Sequence, residues 1–329
     1  MDMHLVANIG ADDIKQESNR KGFGRGLLQA GKDDENVVAL CADLTESTQI
    51  SLFAEAFPER FVEVGVAEQN LVTVGSGMAA MGKVPFVSSY AAFCPGRCWE
   101  QIRTTIALND RPVKIVGSHA GVSVGPDGAT HQMLEDIALM RALPNMVVVA
   151  PGDSVEAEKA TRALAANGKP SYLRLSRADS AVFTTADTPF EIGKAYVLRE
   201  GTDLAIMATG PMTYQALVAA DLLALSNVHA EVVHVPTIKP LDMETILGTA
   251  RKCGRVITLE EAQIAGGFGG AIAELLSEQL PMPLLRLGMF DRFGESGEPA
   301  ELLEHFGLTG THVATQAHEW ISHVPQYHR

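Results

Sequence analysis

The sequence predicts an α/β protein of two domains, each a mostly parallel sheet flanked by helices. Short apolar runs bounded by Gly, Pro or Asp alternate with stretches of helical spacing, the rhythm of a parallel sheet whose crossovers are helices. The pattern lapses after residue 176 and restarts after residue 200. At 329 residues the chain exceeds what a single core usually serves, so two domains are the starting expectation.

Taken in order, NVVALCADL (36–44), RPVKIVGSH (111–119), NMVVVAP (145–151) and PSYLRLS (170–176) read as buried strands of the first domain. After the first of these, AEQNLVTVGSGMAAMG (67–82) carries Gly75, Ala79 and Gly82 at helical spacing, which lets a helix approach a neighbour closely and makes an interface plausible there. DLAIMATG (203–210), AEVVHVPT (230–237) and RVITLEE (255–261) read as strands of the second domain. The boundary is expected near 180–190, where Thr184, Thr185, Asp187, Thr188 and Pro189 suit an exposed connector. The domains are accordingly placed at 12–182 and 190–325, and the first ten or so residues read as a loose end.

Composition narrows the function classes. With 26 Lys and Arg against 40 Asp and Glu, the net charge of -14 repels nucleic acid and anionic lipid, so neither is an expected partner. A local basic cluster can still hold a phosphorylated metabolite. Four scattered cysteines, with no signal peptide or long apolar span, point to a reduced cytoplasm. Cys94 and Cys98, four apart, could share a helix face; with no CxxC or His cluster beside them, packing is expected and no metal site.

Three constellations carry chemistry. Glu68, in VGVAEQN, follows an apolar run and precedes the small-residue helix, and by itself it is a helix-start acid facing the dipole. SHAGVSVGPDGATHQ brings His119, Asp127 and His131 onto one Gly-rich loop, either a solvated surface loop or a site where imidazoles exchange protons near neutral pH. Arg20 and Lys21 before the first helix, with Arg174 and Arg177 in YLRLSR, are either surface ion pairs or a phosphate-binding set.

In this order and spacing the segments resemble the transketolase superfamily over roughly residues 14–310. Its pyrimidine-binding domain has an AEQ-type glutamate, an aromatic patch, a DGxTH loop and an LSR strand. ITLEEAQIAGGFGGAIAELL (257–276) and GMFDRFGESGEPAELLEHFGLT (288–309) are similar to the C-terminal domain of transketolase and of deoxyxylulose-phosphate synthase. The resemblance implies thiamin diphosphate as cofactor, with Glu68 bonded to its aminopyrimidine ring, Phe93 stacked on that ring and Tyr90 as a neighbouring wall. A carboxyl sharing a proton with the ring nitrogen sets the tautomer whose nitrogen removes the thiazolium proton. It also implies that His131 and Asp127 hold substrate hydroxyls, while His119, Arg20, Ser47 and Arg177 contact sugar hydroxyls and phosphate. Glu68, His119 and His131 form the catalytic set. Pro95 and Gly96 depart from the family's usual aromatic run.

The chain has no GDG motif, the family's means of holding the diphosphate through Mg²⁺ or Ca²⁺ with oxygen ligands. The resemblance therefore implies a partner, a large N-terminal transketolase subunit carrying that site, and an α2β2 heterotetramer. The chain is expected to be a natural split-gene product rather than a fragment. The implied reaction is ketol transfer from a ketose phosphate to an aldose phosphate. The alternatives are the β subunit of a 2-oxo-acid dehydrogenase, a deoxyxylulose-phosphate synthase-like enzyme, and a catalytically silent subunit that kept the fold.

Overall fold

The computed structural model describes residues 3–327. Its strands are β1 (Gln16–Glu17), β2 (Val37–Cys41), β3 (Phe61–Glu63), β4 (Val84–Tyr90), β5 (Lys114–Ser118), β6 (Val147–Val149) and β7 (Ser171–Arg174). They continue with β8 (Ser180–Ala181), β9 (Tyr196–Arg199), β10 (Leu204–Ala208), β11 (Ala230–His234), β12 (Thr237–Lys239), β13 (Val256–Gln263) and β14 (Leu284–Met289). Seven form one sheet in the order β12-β6-β7-β5-β4-β2-β3, and five form a second in the order β14-β13-β10-β11-β9. Within each sheet every pairing is parallel except those of the edge strands β12 and β9. The molecule is thus an α/β protein of two mostly parallel sheets flanked by helices.

All strands read from the sequence are present, each apolar run being buried on both faces as a helix-covered parallel strand must be. β1, β4, β8, β9, β12 and β14 are not among those runs. β12 follows the connector in sequence yet pairs with β6, so the second half of the chain completes the first sheet. One apolar cluster accordingly runs from Val38 and Ile115 through Met207 and Val233 to Phe268 and Ile272.

The 184–188 connector is less exposed than its polar composition suggests. Asp153 Oδ2 accepts the backbone N–H groups of Phe183 and Thr184 at 2.9 and 2.7 Å, and its Oδ1 accepts the Thr184 hydroxyl at 2.8 Å. Lys159 Nζ donates to Thr185 O and Thr188 O, leaving Thr184 and Thr188 buried. The N-terminal segment is also fastened: Thr185 and Thr188 hydroxyls donate to His4 O at 2.7 and 2.9 Å, and Val6 N donates to Phe183 O. Backbone carbonyls found donors there that composition does not reveal.

The helix Asn19–Asp33 lies against the helix Ser154–Ala166. A Cβ at Gly22 would stand 1.8 Å from Ser154 O, so glycine permits this approach. The helix Glu68–Ala80 buries Gly75 and Ala79, and a Cβ at Gly75 would come within 2.6 Å of Val87 Cγ1 on β4. Its close approach is therefore made within the sheet's own layer, while Gln69, Asn70, Gly77 and Ala80 face outward. Gly82 lies beyond the helix at φ +87°. Cys94 and Cys98 are buried in a run of turns rather than on a helix. Among the described residues no helix is long and apolar enough to cross a membrane.

Candidate active site

In an open parallel sheet every strand points its carboxyl end at the same edge, where ligands bind. Here that edge collects the candidate residues. Ser47 lies in the loop after β2, Glu68 after β3, Tyr90 ends β4 with Phe93 just beyond, His119 follows β5, and Arg177 follows β7. Arg20 arrives from the first turn of the helix Asn19–Asp33, as does Lys21, both inside the helix rather than before it.

Four of these residues form one aromatic cluster. Tyr90 stacks on His119 with centroids 3.7 Å apart and on Phe93 at 5.8 Å, and His131 meets Phe93 edge-on at 5.5 Å. Ser118 Oγ lies 2.9 Å from His119 Nδ1, and Thr130 Oγ1 lies 2.9 Å from His131 Nδ1. Each hydroxyl fixes a ring orientation and leaves the Nε2 edge for a ligand. Burial, then the charges of Arg20, Arg177 and His131, drive the pKa of His119 down to about 2. Its imidazole is neutral at working pH and polarises or relays rather than carrying charge.

Beside it lies a basic set. Arg20 donates through Nη1 to Ser47 O and through Nη2 to Arg177 O at 2.8 Å, while Arg177 Nη1 donates to Val124 O at 2.9 Å. Burial first, and then the neighbouring Arg177 cation, lower the Arg20 pKa against the opposing charge of Asp179. Ser47 meets Arg20 through its carbonyl, not its hydroxyl. Asp127 stands exposed at the tip of the Gly125–Gly128 turn, with no side-chain hydrogen bond among the described residues, so it is not gathered into the cluster.

Glu68 opens its helix as expected and is 3 % exposed. Its Oε2 accepts from Arg97 Nη1 at 2.9 Å, and the Arg97 guanidinium sits 4.8 Å from the Phe93 ring centroid. Arg97 is thus a site residue that sequence reasoning passed over; its only signal is a lone arginine four residues after Phe93. Arg174, by contrast, is no phosphate ligand. It is buried, with Nε donating to Asp136 Oδ2 at 2.9 Å, and Tyr172 OH donates to the same oxygen at 2.7 Å.

The residues present fit an aminopyrimidine ring. Glu68 Oε1 accepts no hydrogen bond among the described residues, so a buried carboxylate keeps one oxygen for a donor, and Phe93 and Tyr90 offer a flat aromatic surface nearby. Among the described residues no three His, Cys, Asp or Glu side chains converge to hold a metal ion.

Comparison with known proteins gives the family of the chain. Residues 15–181 match the transketolase pyrimidine-binding domain and residues 193–313 the transketolase C-terminal domain. A putative transketolase C-terminal section of Methanocaldococcus jannaschii is 46% identical over 303 residues, covering 91% of this chain and 95% of that protein. A 6-deoxy-6-sulfo-D-fructose transketolase subunit of Clostridium sp. (strain MSTE9) is 42% identical over 89% of this chain and 91% of its own. A solved structure described as a split gene transketolase, inactive beta4 tetramer, superposes with a TM-score of 0.87 at 42% identity, covering 94% of this chain and 99% of that one. The chain belongs to the transketolase family, with its pyrimidine-binding and C-terminal domains in that order.

Proposed function

We propose that this chain is the small subunit of a two-chain transketolase, moving a two-carbon ketol unit from a ketose phosphate to an aldose phosphate with thiamin diphosphate. The observation that carries the reading is the buried Glu68, with one oxygen open, set by Arg97 beside a Tyr90–Phe93–His119–His131 cluster. A separate large subunit would hold the diphosphate and its Mg²⁺ or Ca²⁺, with α2β2 as the working assembly. The names of two similar proteins, a sugar transketolase subunit and a split-gene transketolase whose tetramer of one chain is inactive, support this. Four free, buried cysteines suit a reduced cytoplasm.

Thiamin diphosphate, when bound, supplies the nucleophilic carbon that carries the transferred unit. Glu68 would accept the ring N–H on Oε1 and so set the ring's tautomer. Phe93 would stack on the ring, and Tyr90 would close the pocket behind His119. Neutral His119 would hydrogen-bond the sugar carbonyl, and His131 would exchange protons with the sugar hydroxyls. Arg20 and Arg177 take the distal phosphate, with Ser47 and Asp127 on hydroxyls nearer the mouth.

The test is reconstitution with a separately expressed large subunit, thiamin diphosphate and Mg²⁺, assayed with a panel of ketose phosphates and an aldose phosphate acceptor. Ketol transfer that is abolished by Glu68→Gln supports the reading. Condensation of pyruvate with glyceraldehyde 3-phosphate, or decarboxylation of a 2-oxo acid without ketol transfer, overturns it.

A further inference from the structure

The loop that carries His131 is held from the second domain. Beyond β14, Gly294 and Ser296 lie against it: a Cβ at Gly128 would stand 2.5 Å from Ser296 Oγ, and one at Gly294 would stand 1.8 Å from Gln132 Oε1. Gln132, next in sequence to His131, is 3 % exposed. Its Nε2 donates to Glu295 O at 2.8 Å, to Val122 O at 3.1 Å and to Gly125 O at 3.3 Å. Only the NH2 group of a carboxamide can serve three carbonyls, which fixes the orientation of the side chain.

These bonds form a closed frame. His131 N and Gln132 N both donate to Gly128 O at 3.0 Å, Gly128 N donates to Gly125 O at 3.1 Å, and Gly121 N donates to Met133 O at 2.8 Å. The turn is thereby tied to itself, and Gln132 ties it to Glu295. The far side of the joint is anchored too: Gln263, at the end of β13, donates from Nε2 to Arg292 O at 2.7 Å and accepts from Asp291 N at 3.0 Å. Gln132 Oε1 has no hydrogen-bond partner among the described residues. A buried amide with one end unpaired is costly, so the value of the group lies in its N–H bonds. A methionine would fill the same space without them.

We propose that Gln132 is a positioning residue: its carboxamide clamps the 122–131 loop to the 294–296 segment and so sets where the His131 imidazole stands. The second domain thereby shapes the active site through one side chain. His131 is half-buried and is fastened locally, its Nδ1 against Thr130 Oγ1 of the same loop and its ring edge-on to Phe93. Freed from the clamp, the loop would carry that ring away from the sugar, and a displacement of about 1 Å is enough to cost ~100-fold in rate. The inference rests on the proposed function only in assigning His131 to the sugar; the clamp itself is a matter of loop position.

Two variants test it. Gln132→Met removes the donors at constant length, and Gly294→Ala displaces the carboxamide from the second domain. In imidazole NMR spectra of the full chain, each should shift the His131 Hε1 signal and leave that of His119, which Ser118 on β5 fixes. In the enzyme reconstituted with its large subunit, Gln132→Met should lower kcat/KM for the ketose phosphate at least ~10-fold, with thiamin diphosphate affinity unchanged. The same substitution should cost less than ~2-fold when combined with His131→Asn. Gly294→Ala keeps the test decisive if Gln132→Met unfolds the chain. Unmoved His131 signals, or a ~10-fold loss that persists in the His131→Asn background, overturn the proposal. A natural enzyme without ketol transfer refutes the proposed function instead, and the His131 signals still decide the clamp.

Discussion

Arg174 and Arg177 are three residues apart, yet the structure gives them opposite duties, and substituting each by Met separates them. Arg174 is 4 % exposed and Asp136 is fully buried. Losing the guanidinium leaves Asp136 Oδ2 with only the Tyr172 hydroxyl, while its Oδ1 already lacks a partner. Breaking a buried pair from one side costs about 3–5 kcal/mol, against a total stability of about 5–15 kcal/mol for a folded chain. Arg177 is half-buried and gives up one hydrogen bond to Val124 O, about 1 kcal/mol. Urea denaturation followed by circular dichroism measures both. Arg174→Met should lose several-fold more stability than Arg177→Met, and the double variant Arg174→Met/Asp136→Asn should recover at least half the loss. An Arg174→Met cost below about 1 kcal/mol would refute the structural assignment.

Further predictions concern the site and its supports. Glu68→Gln should lower ketol transfer by the reconstituted enzyme at least ~100-fold, while the chain's urea midpoint moves little; retained activity would remove Glu68 from the mechanism. His119 should show no titration between pH 5 and 8 in imidazole NMR spectra, since its folded pKa lies near 2. The unfolded imidazole takes a proton below 6.5 and the folded one does not, so this group lowers stability as pH falls from 6.5 toward 2, by at most about 1.4 kcal/mol per pH unit. Gly22→Ala should destabilise by at least about 2 kcal/mol, because a clash with the Ser154 carbonyl outweighs a helix-propensity gain of about 1 kcal/mol. A neutral or stabilising result in thermal melts would contradict the observed helix contact.

Much of this was legible because parallel strands announce themselves as unbroken apolar runs, and motif order ties loops to strand ends. What escaped has physical reasons. β4 contains Pro85, Ser88 and Ser89, and a central strand with a proline and two hydroxyls does not read as one; it is nonetheless covered on both sides and supplies Tyr90. β9 and β12 are antiparallel edge strands whose place depends on partners distant in sequence. Polar composition made 184–188 look exposed, whereas Asp153 and Lys159 satisfy its backbone from elsewhere in the fold. The arginines of the LSR strand could not be separated until Asp136, 38 residues upstream of Arg174, was seen to claim one of them. Arg97 was invisible for the same reason: its importance is the contact with Glu68, not its neighbours in sequence.

The most direct measurement is isothermal titration of thiamin diphosphate with Mg²⁺, first into this chain alone and then into its mixture with a large diphosphate-binding subunit. The account predicts tight, metal-dependent binding in the mixture only, weakened by Glu68→Gln. Tight, metal-dependent binding to the chain alone would contradict it.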